Sequence, residues 1–515
     1  AELPPAPGVG ERADSLLPLS DDLRIDVTRA LPTRLNAPVA AASALIGGPV
    51  GVHAAIGRSR MWTPLRAVLL MALVIMALSW SGKAGCLQQA PVPGQDGQPS
   101  AGMRLNWDNQ RQYYGLCYSE VIARYGTERL TIDDLRLGTM PYRTYWFAGS
   151  TGAGNDVASE RHYLDQPVVI GAVMYIAAKA TQGWQALIDG TPIPRQLDVV
   201  TYFNLTALLL VIFWLIAVWA TMMTDRRRLW LGALLALSPL VALHAFTAYD
   251  VIPVALVALA ILFWTRRNPV PAGIFAGLAV ASALYPLLLI PALGVIAFRE
   301  RRTRELTTLL SCAGLAWIAV NLPVVISYPR GWSEFFRTWW QRAAEPDSLY
   351  ALIERTTAWS PPTVLVNAVF LALLVAVIAA VSYVALRAER IPTVAELMFL
   401  LVAGYLLVGK AWSPQSSLWL VPFAVLAVPY LRLVVAWMVV DALIWVPRMG
   451  LFLDPDRKWL PPEFFDVAVI VRAAFVLVLC VVVVRQLLHR HDDDPASGPP
   501  TGVVLSQPAR AVPVG

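Results

Sequence analysis

The run TVLVNAVFLALLVAVIAAVSYVAL, starting at Thr363, holds 24 consecutive residues without a charge. As a helix it is about 36 Å long, enough to cross a hydrocarbon layer of roughly 30 Å. Similar runs recur, among them VVTYFNLTALLLVIFWLIAVWATM from Val199 and DVAVIVRAAFVLVLCVVVVRQLL from Asp466. Backbone polar groups have no water to bond to in lipid, so repeated runs of this length demand hydrogen-bonded helices. The chain therefore reads as an all-α polytopic membrane protein. Its 15% charged residues against 57% hydrophobic ones would not coat a soluble protein of 515 residues. The mean hydropathy of +0.56 agrees.

Charge orients the spans. Of 41 basic residues only Lys83, Lys179, Lys410 and Lys458 are lysines, and the arginines collect in short turns such as DRRR and RERRTRE. Lys and Arg favour cytoplasmic loops, so these turns are expected inside. The formal charge of +6 then needs no nucleic acid to explain it. Counting from the basic turns predicts about twelve spans within residues 61–488, with both termini cytoplasmic. It also predicts two large outer loops, 82–167 and 328–361. Residues 1–60 read as a mobile cytoplasmic arm without a signal peptide, and 489–515 as a disordered cytoplasmic tail. The segment from Val168 to Ala180 is apolar but short, and a crossing there breaks the parity. It is expected to be a half-buried or re-entrant helix on the outer side. SEFFRTWWQRAAE in the second outer loop has the composition of a segment lying on the membrane surface, either as an anchor or as a lid over a lipid site.

The first outer loop gathers most of the chemistry. Cys86 and Cys117 both fall in it, whereas Cys312 and Cys480 lie in apolar spans. An extracytoplasmic pair is expected to form a disulfide. No His or further Cys stands at metal-ligand spacing beside them, so neither metal nor cofactor is expected.

The loop also carries Asp108, Glu120, Glu128, Asp133, Asp134, Asp156, Glu160 and Asp165. Glu120 opens EVIARY with Arg124 one helical turn later. The two are either a surface ion pair or a general base beside a phosphate-binding arginine. Asp108, in NWDNQRQYY with Trp107 and Arg111, either caps a short helix or joins an aromatic surface for a sugar ring. Asp165 precedes the partial helix, as its cap or as a hydroxyl ligand. Asp250 in LHAFTAYDVIPVAL stands at the outer edge of an apolar span, where an acid usually has a partner or a task. Lys410, in LLVGKAWSPQSSLW, stands at another outer helix end. It is either a snorkelling anchor or a single-point phosphate contact.

In this order the motifs resemble GT-C type, polyprenyl-phosphate-sugar-dependent membrane glycosyltransferases, and more narrowly glycosyltransferase family 87 of actinobacteria. The resemblance rests on CYSE at Cys117, YLDQPV at Tyr163, AYDVIPVALVALAIL ending the turn at Asp250, LYPLLLIPAL at Leu284 and KAWSPQSSLWLVP at Lys410. Two positions depart from the family pattern. Ala283 stands where relatives carry the lysine of a KLYP segment, and Asp165-Gln166 stands where they carry the start of an EYPV-like motif.

The resemblance implies a GT-C-like fold and an inverting, metal-independent transfer at the outer membrane face. A carboxylate would take the acceptor proton and cations would stabilise the leaving lipid phosphate. Glu120, Asp108 and Asp165 are the candidate catalytic acids. Lys410, Arg111 and Arg124 are the candidate phosphate ligands. Trp107, Tyr118, Asp250, Tyr285 and Trp412 are candidates for holding sugar or acceptor. Expected partners are a polyprenyl-phosphate sugar, a glycolipid or glycan acceptor and membrane lipid. Mannose and arabinofuranose both fit as donor sugars. A non-catalytic scaffold related to the family, or a lipid or glycolipid transporter, are the rival readings. A transporter predicts ionisable residues at mid-membrane and inverted repeats, and no such repeat is evident.

Overall fold

The computed structural model describes residues 63–93, 99–147, 161–226, 229–357 and 359–488. The expected terminal arm and tail lie outside the described residues, as do Asp156 and Glu160. Helix α1 spans Pro64–Ala84, started by the Thr63 side chain accepting from the Arg66 N–H and by proline at the first helical position. A two-stranded antiparallel hairpin follows, β1 (Gln89–Pro93) and β2 (Pro99–Leu105), with Gln89 opposite Leu105. After helical turns at Asp108–Gln110 and Arg111–Tyr114, the first loop continues with α2 (Glu120–Thr127), α3 (Ile132–Arg136) and a two-residue strand pair joining Trp146–Phe147 to Arg161–His162.

Helix α4 covers Val168–Ile188 and α5 covers Asp198–Thr224. The next segment is broken at proline into α6 (Leu231–Ala236) and α7 (Pro239–His244). Helices α8 (Val251–Thr265), α9 (Pro269–Val280) and α10 (Leu289–Arg299) are short, and α11 (Thr303–Ser327) is long. The second loop forms α12 (Pro329–Gln341) and α13 (Leu349–Thr357). The remaining helices are α14 (Thr363–Arg387), α15 (Val394–Val408), α16 (Val421–Ala427), α17 (Leu431–Leu443), α18 (Trp445–Leu451) and α19 (Pro462–Leu488).

Among the described residues six helices are long and apolar enough to cross a membrane, and six shorter apolar segments accompany them. The all-α, multi-pass architecture follows directly. The basic turns collect at one end of the bundle. Arg299 donates to the carbonyls of Ala385 and Arg390, and Arg302 donates to that of Trp264, tying the turns after α8, α10 and α14 together. The first loop sits at the opposite end, where Tyr202 in the first turns of α5 shares a hydrogen bond with Tyr249 ahead of α8.

Helix α4 is longer than its apolar stretch suggested. Its 21 residues continue through Lys179, Thr181, Gln182 and Gln185. Both its ends are held at the loop end of the bundle. The Val169 N–H donates to Ala281 at the end of α9, and Gln185 donates to Thr201 at the start of α5. Both ends of this helix, about 30 Å long, thus meet the loop end of the bundle.

Two features of the interior bear on the site. Gly273 and Gly277 let α9 and α11 touch backbone to side. A Cβ at Gly277 would come within 2.3 Å of the Ala313 carbonyl oxygen, so only a residue without one fits. Deep in the bundle, Arg472 and Asp441 are both fully buried and joined at 2.8 Å. Ser417 and Trp437 also donate to Asp441, while Arg472 donates to the carbonyls of Trp412 and Ser413. This network satisfies both charges and fixes the irregular segment after Lys410, where buried charge without partners would be costly.

Candidate active site

The site begins at the disulfide. Cys86, just beyond α1, is bonded to Cys117, as the loop composition predicts. Four further hydrogen bonds hold the residues that follow in place. Lys83 donates to the Tyr118 carbonyl (2.9 Å) and to the Thr247 hydroxyl (3.0 Å). The Ser119 hydroxyl donates to the Phe246 carbonyl (2.6 Å), and the Glu120 N–H donates to that of Thr247 (2.8 Å). Glu120 is thereby docked onto the turn that carries Asp250. Its carboxylate accepts from Gln415 at 3.0 Å.

Arg124 is saturated. It meets Asp165 at 2.7 Å, Glu128 at 2.8 Å and Glu120 at 3.6 Å. Burial alone would raise the Asp165 carboxyl, but Arg124, a hydrogen bond from Gln166 and Arg342 outweigh it and hold it below its ordinary value. Glu128, more deeply buried and facing the Asp165 charge, is pushed up to about 8. At neutral pH Asp165 is thus the ionised partner of Arg124. Asp250 accepts a hydrogen bond from Trp419 (2.9 Å), whose ring stacks on Tyr285 with centroids 4.4 Å apart. Burial and then the nearby Glu120 push Asp250 up to about 7.

Glu120, Arg124, Asp165 and Asp250 face one polar pocket of about 200 Å³, together with Arg342, Glu345, Gln415 and Trp419. Ala283 also lines it, so the family's lysine position borders this pocket. Beside it runs an apolar groove of about 480 Å³ between α9, α10, α11 and α12, walled by residues such as Leu293, Leu309, Ile318 and Phe336. Gln166, Pro167, Leu284 and Phe335 belong to both, so the groove opens into the pocket.

Other candidates stand elsewhere. Asp108 pairs with Arg104 at 2.7 Å and, with Arg111, Tyr114 and Arg457, borders a separate open depression. Trp107 donates to the Cys86 carbonyl and so braces the disulfide. Tyr118 packs on Tyr113, outside the pocket lining. Tyr285 lies behind Trp419, and Trp412 is buried under the Arg472 guanidinium at 4.1 Å. Lys410, only 2% exposed, donates to the carbonyls of Trp340 and Arg342 and does not line the pocket. Sequence reading missed Arg342, Glu345, Gln415 and Trp419 as pocket groups. The signal for Arg342 was its spacing from Phe335 and Trp339, which puts all three on one helical face.

Comparison with known proteins adds a partial likeness. No curated protein matches this chain. Among solved structures, ArnT from Cupriavidus metallidurans bound to undecaprenyl phosphate is similar at 14% identity and a TM-score of 0.40, over 83% of this chain and 73% of that one. The model of glycosyltransferase family 87 matches residues 193–409, a stretch that includes Asp250, Ala283, Arg342 and Glu345. Over those residues, less than half of its length, this polytopic membrane protein is similar to glycosyltransferase family 87.

Proposed function

We propose that this protein moves a sugar from a polyprenyl-phosphate donor to a hydroxyl of an envelope glycolipid or glycan at the outer membrane face. The observation that carries this reading is the junction of groove and pocket. A long apolar channel suits a lipid chain, and it ends at a cluster of carboxylates and guanidinium groups suited to a phosphate-linked sugar. The loop end of the bundle is then the extracytoplasmic end, opposite the basic turns.

Glu120 is the base. Its carboxylate is about a third exposed, so an acceptor hydroxyl can reach it, and its backbone is locked through Ser119, Thr247 and the disulfide. As the acceptor oxygen attacks the anomeric carbon, its proton passes to Glu120. The bond to the lipid phosphate breaks on the opposite face, and guanidinium groups hold the leaving oxygen. Asp165 and Glu128 hold Arg124 in place. In this reading Asp250, its neighbour Trp419 and Gln415, which line the pocket, hold sugar hydroxyls. Mannose and arabinofuranose remain the donor sugars to try first.

The test is direct. Purified protein in detergent or nanodiscs is incubated with labelled polyprenyl-phosphate mannose, polyprenyl-phosphate arabinofuranose and a membrane glycolipid extract. Label appearing in the acceptor, with the free polyprenyl phosphate as co-product, supports the reading. Binding of the lipid with no sugar released under any acceptor condition refutes the catalytic reading.

A further inference from the structure

The pocket is short of available positive charge. Four carboxylates line it, Glu120, Asp165, Asp250 and Glu345, against two guanidinium groups, Arg124 and Arg342. Arg124 is engaged by three carboxylates and mostly enclosed. Arg342 differs on each count. Its side chain is 40% exposed, and its ionic contacts are long, 3.3 Å to Glu345 and 4.0 Å to Asp165. It also follows directly on α12, the helix whose Phe335 and Phe336 wall the mouth of the apolar groove.

Helix α12 is itself held at both ends. Near its start, Gly331 lies so close to the Tyr142 carbonyl that a Cβ there would be within 1.8 Å of the oxygen. At its end the Lys410 ammonium accepts no role in the pocket but caps the helix, donating to the carbonyls of Trp340 (3.2 Å) and Arg342 (2.8 Å). Asn367 adds a bond to the same Trp340 carbonyl at 2.9 Å. A cation at a helix C-terminus is favoured by the helix dipole as well as by these bonds.

We propose that Arg342 is the residue that grips the donor phosphate, and that Lys410 is a positioning residue which holds Arg342 at the groove mouth. This rests on the donor reading above. When a lipid phosphate arrives along the groove, Arg342 exchanges its long contacts to Glu345 and Asp165 for a bidentate pair with the phosphate oxygens. A lipid tail seated beside Phe335 brings its phosphate within reach of the same helix end. Lys410 never touches the phosphate, because its ammonium is occupied by backbone carbonyls.

The experiment measures binding of polyprenyl phosphate, the matching polyprenol without phosphate, and inorganic phosphate to the full chain in nanodiscs. Wild type should bind the phosphate lipid more tightly than the alcohol, and inorganic phosphate should not displace it. In Arg342→Gln the preference for phosphate over alcohol should shrink by at least about 10-fold, with polyprenol binding unchanged. Arg342→Lys should recover part of it. Lys410→Met should shrink the same preference, and Lys410→Arg should restore it, which a simple loss of packing would not do. An Arg342→Gln protein that keeps its full phosphate preference overturns the proposal while leaving the donor reading intact. A wild type with no preference for the phosphate lipid overturns the donor reading itself. Displacement by inorganic phosphate alone would overturn the lipid-held geometry.

Discussion

Replacing Glu120 by glutamine tests the proposed base with little structural disturbance. The amide keeps the shape and can still accept from Gln415 at the present 3.0 Å separation. Arg124 loses only its 3.6 Å contact and keeps Asp165 and Glu128 at 2.7 and 2.8 Å. A partly exposed pair of that length contributes at most about 1 kcal/mol, so the folded state should survive. What disappears is the proton acceptor. Loss of a general base costs at least ~10²-fold in rate, equivalent to about 3 kcal/mol of barrier. Turnover with labelled polyprenyl-phosphate sugar should fall by that factor. Donor affinity and melting temperature, measured on the same preparation, should change little. A folded Glu120→Gln protein with near-normal turnover would refute the assignment. The search would then move to Asp250 and Asp165, which line the same pocket, ahead of Asp108, which does not.

Three further outcomes follow from the same geometry. Cys86→Ser with Cys117→Ser opens a loop of sequence separation 31 and should cost about 4 kcal/mol by restricted-chain arguments; thermal unfolding with and without reductant measures it, and two freely labelled loop thiols in the native wild type would refute the bond. Arg472→Met strands the buried Asp441 and should cost roughly 3–5 kcal/mol, while Arg472→Met with Asp441→Leu should cost less; a double variant as unstable as the single one in detergent melts would contradict this. Because the Asp250 carboxyl is raised to about 7 in the folded protein, the folded form holds a proton that the unfolded chain has already lost. Its contribution is therefore lost as pH rises from the ordinary carboxylate range through about 7, and Asp250→Asn should flatten the stability profile over that window; an unchanged slope in chemical unfolding curves would count against it.

Sequence alone determined what depends on composition and local pattern. The unbroken apolar runs dictated a polytopic helical chain because lipid offers the backbone no other partners. The segregation of arginine into short turns marked one end of the bundle, and the structure gathers those turns together through Arg299 and Arg302. The two loop cysteines pointed to each other because the other pair stands in apolar spans. Glu120, Arg124, Asp165 and Asp250 were each visible as polar residues at helix ends, where burial is costly without a partner. Only the tertiary structure decided which of these share a pocket. Asp108 and Glu120 are twelve residues apart in one loop, yet a left-handed turn at Asn109 and Gln110 and the docking of Glu120 on Thr247 send them to different surfaces. Lys410 looked like a lone anion ligand, but its ammonium is taken up by two carbonyls some seventy residues earlier in the chain. Arg342 looked like a surface charge on an amphipathic helix, and becomes a pocket group only because Tyr142 and Lys410 seat that helix over the groove. Helical period and hydropathy act within a few residues along the chain. Which charges meet is settled by packing between segments hundreds of residues apart, and that packing is not written in either pattern.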